Sequence, residues 1–98
     1  MKGYVAYPMT SYDEKLLFKD GYMNVTKVKE DVMIWADTWY MEDCYVFEID
    51  FDKEDIVREI SGSTEYLDGK IVDVTWWRIR RFNSMELVAG IVFDRGGK

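Results

Sequence analysis

The 98-residue chain contains no histidine, a single cysteine (Cys44) and a single proline (Pro8). Without histidine, the Cys-His and Ser-His pairs of nucleophilic catalysis are excluded, and so are the mixed Cys/His zinc sets. A lone cysteine forms no internal disulfide, which fits a reducing, cytoplasmic setting, and Cys44 reads as a small strand residue rather than a nucleophile. No apolar run approaches the roughly 20 residues of a membrane span, and no signal-peptide core follows Lys2, so no contact with a membrane is expected. Cations are also scarce. Thirteen Lys and Arg against 19 Asp and Glu leave a net charge of −6, which disfavours direct binding of nucleic acid by the surface as a whole.

What is present is apolar and aromatic. Hydrophobic residues make up 48% of the chain and aromatics 16%, enough to expect one folded domain over residues 1–98. Seven tyrosines and four tryptophans exceed what so small a core absorbs, and half-exposed aromatics suit a protein-binding surface.

Charge is segregated along the chain. Residues 42–68 carry ten carboxylates and two cations, whereas residues 70–98 carry six cations and three carboxylates. The acidic half concentrates Glu48, Asp50, Asp52, Glu54 and Asp55. The basic half opens on Trp76-Trp77-Arg78-Ile79-Arg80-Arg81.

Periodicity gives a coarse layout. Gly3–Tyr7 reads as a strand ended by Pro8, Ser11–Lys19 as a short helix with a capping box, and Tyr22–Val25 as a second strand. From Lys27 to Tyr40 the spacing of Val28, Val32, Trp35, Ala36 and Trp39 predicts an amphipathic helix capped by Thr26. Cys44–Phe51 alternates cleanly, and its Tyr45, Phe47, Ile49 and Phe51 face is expected to lie against the Trp35 and Trp39 stripe. Asp52 is expected to cap a helix through Ile60, with Ser61-Gly62-Ser63 as a turn. Asp68-Gly69 predicts a hairpin. In the strand from Lys70 to Phe82 the inward side switches near Trp76-Trp77, through a bulge or a change of packing partner. A last strand, Met85–Phe93, is expected to show Met85, Leu87, Ala89, Ile91 and Phe93 on one face. The fold class is therefore α+β, a mainly antiparallel sheet of about five strands with one main helix over 27–40 and one or two short helices.

Two constellations carry chemistry. Trp76, Trp77, Arg78, Arg80 and Arg81 interleave aromatic faces with guanidinium groups, as in base-stacking, phosphate-binding strands. The plainer reading is a core strand whose arginines pair with the neighbouring carboxylates, among them Glu54, Asp55 and Glu65. Glu48, Asp50, Asp52, Glu54 and Asp55 lack the glycine and distal glutamate of a calcium loop, so a solvated acidic face is expected there and neither a metal nor a catalytic pair. No cofactor is implied by the residues.

Asn24-Val25-Thr26, the Trp35-Ala36 helix and Tyr45-Val46-Phe47-Glu48-Ile49-Asp50 together resemble the middle of an ADP-ribosyltransferase-like core over residues 3–60. The resemblance implies a shortened, inactive relative binding NAD or a nucleotide, with Thr26 as the position carried over. The family's Arg or His on the first strand is replaced by Tyr4 and Tyr7, and Glu86 is the only acid in the last strand. In size and acidity the chain is also similar to small phage inhibitors, including anti-CRISPR proteins. That similarity implies a non-enzymatic protein acting in the cytoplasm on the basic surface of a host or phage protein. In that role Glu48, Asp50, Asp52, Glu54 and Asp55 imitate phosphates, the Trp/Arg strand supplies further contacts, and a homodimer is a possible assembly.

Overall fold

Strand-forming alternation of the kind at Cys44–Asp50 dominates the computed structural model, which describes residues 1–13, 18–34, 36, 40–65 and 69–93. Among these residues six strands occur: β1 (Lys2–Pro8), β2 (Met23–Thr26), β3 (Cys44–Asp50), β4 (Ile56–Glu65), β5 (Ile71–Ile79) and β6 (Ser84–Ile91). They form one sheet in the order β4-β5-β2-β1-β3-β6, antiparallel at every junction. The α+β class holds in outline, with six strands among the described residues where about five were expected.

The expected helices fare differently. Where helix is expected across 27–40, the described residues give a 3-10 turn at Lys29–Asp31, then α1 (Val32–Ile34), and Ala36 and Tyr40 are helical too. Thr26 does not cap it. Thr26 completes β2, and its buried hydroxyl lies 3.2 Å from the Tyr4 carbonyl and 3.1 Å from that of Val28. The segment closes at Met41, which has a left-handed φ of 54° and donates its N–H to the Ala36 carbonyl. Trp35 and Trp39 lie outside the described residues.

The helix expected from Asp52 to Ile60 is replaced. Only Lys53–Asp55 makes a 3-10 turn, and β4 begins at Ile56 and runs through Ser61-Gly62-Ser63, the expected turn. Ile56, Val57 and Ile60 are β-branched, and pairing along β5 satisfies their backbone groups better than an isolated two-turn helix would. β4 and β5 pair antiparallel, as the expected hairpin requires, and Gly69 has φ 87°; Asp68 lies outside the described residues. The helix expected over 11–19 falls largely on residues 14–17, also outside the described set. After it, Asp20 and Gly21, at φ 56° and 82°, make a tight turn that Lys19 and Tyr22 close with reciprocal main-chain hydrogen bonds.

Register assigns every strand residue to one of two faces. One face gathers Val5, Met23, Val25, Phe47, Ile49, Phe51, Trp77 and Ile79 into the larger core, flanked by Tyr7, Tyr12, Phe18, Tyr45 and Met85. The other gathers Ala6, Cys44 and Val46 beneath Val32 and Ala36. Helical residues thus cover the Cys44 and Val46 side of β3, opposite to the aromatic side on which they were expected. The small side chains Ala6 and Cys44 leave room for that approach, which Tyr45 and Phe47 do not.

Both edges of the sheet are bulged. A register shift opposite Val46 and Phe47 makes Val88 the extra residue of β6. Met85 and Leu87 therefore oppose Ile49 and Phe47, while Ala89 and Ile91 oppose Val46 and Cys44, so the expected single apolar face is split: Met85 packs on the larger core, Ala89 and Ile91 on the smaller one, and Leu87 is exposed. In β5 the pairing is continuous through Trp76-Trp77. The buried side still changes, from Val74 on one face to Trp77 and Ile79 on the other, because a different face is covered at each end of the strand.

A candidate acidic interface

At its far end β3 changes character. Cys44 and Val46 lie under helix, but the next residues on that face, Glu48 and Asp50, emerge beyond it. Glu48 stands directly opposite Glu86 of β6. Like charges in facing positions of an antiparallel pair repel, and their Cβ atoms are only about 4.5–5.5 Å apart in such pairs. Two neighbours temper the repulsion. Lys2 Nζ is 3.4 Å from Glu48 Oε1, and the Tyr4 hydroxyl donates to Glu48 Oε2 at 3.1 Å. Burial first, and then this hydrogen bond to an anion, raises the Tyr4 pKa above the ordinary tyrosine value. Asp50 is offset by the N-terminal ammonium at 3.7 Å and by Lys2 at 4.0 Å. Glu86 is exposed and has no ion-pair or hydrogen-bond partner among the described residues.

The five carboxylates expected to share one surface are divided in the fold. Asp52 is exposed and accepts a hydrogen bond from Asn83 Nδ2 at 3.1 Å, and Glu54 is exposed. Asp55 is only 2% exposed, so it is withdrawn from that surface. Its two oxygens accept from Arg80 Nε at 3.1 Å and Arg81 Nε at 3.3 Å, while Arg80 Nη2 also donates to the Glu54 carbonyl. The main chain follows the same path, from the Arg80 N–H to the Asp55 carbonyl and from the Asn83 N–H to that of Asp50. Acid and base segments are stitched together here.

The Trp/Arg strand separates in the same way. Trp77 is buried, its indole N–H donating to Glu59 Oε2 at 2.7 Å, with Lys27 Nζ 5.8 Å from the ring centroid. Trp76 is half-buried on the opposite face from Trp77. Arg78 lies on the Trp76 side, its guanidinium 4.7 Å from the centre of the Tyr22 ring. Arg80 and Arg81 are held by Asp55, so the segment does not present one stacking platform lined by arginines.

Among the described residues no cluster of three or more Cys, Asp or Glu side chains is arranged to hold a metal, and no helix is long and apolar enough to cross a membrane. No family profile, curated protein or solved structure matches the chain.

Glu86, Lys2, Tyr4, Glu59 and Asn83 complete these arrangements, and none follows from the acidic and basic runs as such. The clean alternation of β3 and of Met85–Phe93 was the available signal for the Glu48–Glu86 pair. It needed the strand order, which sets β6 beside β3, to become legible.

Proposed function

We propose that the chain is a small acidic binding protein that occupies a basic surface of a larger protein, in the manner of a phage or mobile-element inhibitor of the anti-CRISPR or anti-defence type, acting in the cytoplasm. The observation that supports this most is the facing pair Glu48 and Glu86, with Asp50 beside it. An arrangement that opposes folding and leaves one carboxylate unmatched is relieved when a partner supplies Lys or Arg. Asp52 and Glu54 extend the acidic rim. Asp55 has no part in it, since it holds Arg80 and Arg81.

The test is affinity capture from a host-cell lysate with the wild-type chain and with Glu86→Lys. Removing one anion from the pair should raise folding stability by about 0.2–1 kcal/mol in urea denaturation. The same change should weaken capture roughly threefold to tenfold and flatten its dependence on salt, because fewer charge pairs form at the interface. Equal capture by both proteins at low salt would refute an acidic contact.

A further inference from the structure

A second like-charge pair lies on the same face of the sheet, near the opposite edge. Arg58 of β4 stands directly across from Arg78 of β5, and on the other side of Arg78 its cross-strand neighbour is Asn24 of β2. The three form a polar row across adjacent strands. The register that runs unbroken from Glu65↔Ile71 sets Arg58 against Arg78, and the bulge at Val57 shifts the pairing only beyond the row, at Ile56↔Ile79.

The row is unusual for what its arginines do not contact. Arg80 and Arg81 share a buried carboxylate, but among the described residues neither Arg58 nor Arg78 makes an ion pair or a side-chain hydrogen bond. The Arg78 Nε–H is buried and has no acceptor among the described residues. An unmet buried donor on a cationic group is unfavourable, and a second guanidinium opposite adds to it. A chain with 19 carboxylates does not lack acids to place there. The Tyr22 ring packs against Arg78, 4.7 Å from Cζ to ring centre, and leaves the guanidinium's N–H groups as donors for a ligand.

We infer that Arg58, Arg78 and Asn24 form a binding site for a phosphate group carried as a dianion. Two fixed positive charges match its two negative ones. Guanidinium forks match its oxygens, and the exposed Asn24 amide adds a donor at the rim. Half-buried Trp76, two residues before Arg78 on the same face, offers an apolar flank to whatever bears the phosphate. This inference is independent of the acidic interface near β6.

Titration of the full chain with inorganic phosphate, followed by nitrogen-proton correlation spectra that include the arginine Nε–H signals, tests it. Saturable shifts are expected at Arg78 Nε–H and at the amides of Asn24 and Arg58. Arg58→Met and Arg78→Met should each weaken binding about tenfold or more, while Lys53→Met, which removes an exposed cation outside the row, should not. Arg58 is exposed, so its variant stays informative even if Arg78→Met impairs folding. A nucleoside 5′-monophosphate should bind at least as tightly as phosphate and should weaken from pH 7.5 to 5.5, as the second phosphate proton returns near pH 6. Tighter binding than phosphate would show that Trp76 contributes, and equal binding that the phosphate group alone is read. Shifts that grow linearly without saturation, or an equal loss in Lys53→Met and Arg58→Met, would overturn the site.

Discussion

Asp55 shows how little a residue's charge says about its role. In the sequence it is one of five neighbouring acids. In the fold it is the one that is buried, receiving two guanidinium groups that are themselves largely exposed. Replacing it with asparagine should lower stability by about 1–3 kcal/mol, as measured by urea denaturation, because two charge-assisted hydrogen bonds are weakened while both arginines remain free to turn toward water. Glu54→Gln, one position earlier on an exposed side chain, should change stability by less than about 0.5 kcal/mol. The aromatics follow the same rule. Tyr7 and Tyr40 are raised in pKa chiefly by burial and belong to the cores, so the tyrosine surplus noted in the composition is absorbed in part by packing and does not all reach a surface.

At the scale of elements, the strands with clean alternation or a sharp stop were legible. Pro8 ends β1, and Cys44–Asp50 is a strand whose two faces are both distinct. Elements whose fate depended on a neighbour were not. Ile56–Ile60 has helical spacing as well as β-branched residues, and the availability of β5 as a partner decided between them. The turn at Asp68-Gly69 announced the hairpin but not its register. A two-residue loop would pair Leu67 with Lys70, whereas Glu65 pairs with Ile71 and residues 66–70 lie between them. That one-residue difference sets Glu59 against Trp77 and Arg58 against Arg78. The close approach of β1 and β2 is equally specific, because a Cβ on Gly3 would fall 2.6 Å from Val25 Cγ2. Gly3→Ala should therefore cost about 1–3 kcal/mol, read as a lower thermal midpoint, unless the β1–β2 pair shifts to admit the methyl group.

Across the whole molecule the sheet is uneven. β1, β2 and β3 are flanked on both sides, but the first half of β5, before the Lys27 N–H meets the Thr75 carbonyl, is paired only with β4. Residues 61–65 and 71–74 thus extend as a two-stranded ribbon, with Ile71 69% exposed, in a molecule 44 Å long and 23 Å thick. Amides of this ribbon should exchange with deuterium at least about tenfold faster than those of Val5–Tyr7 and Val46–Ile49 in native-state exchange, because local opening breaks one ladder rather than two. Equal protection would mean that the ribbon opens only with the whole sheet. The sequence by itself determined the α+β class in outline, the antiparallel pairing of the hairpin strands, the identity of β3 and the exclusion of histidine chemistry, since these follow from composition and from patterns within a few residues. Only tertiary structure decided which acids are exposed and which arginines are already bound, because strand order and two bulges set which side chains face one another. The reversal from acid to base along the chain became a buried junction at Asp55, an acidic pair near one edge and a basic pair near the other.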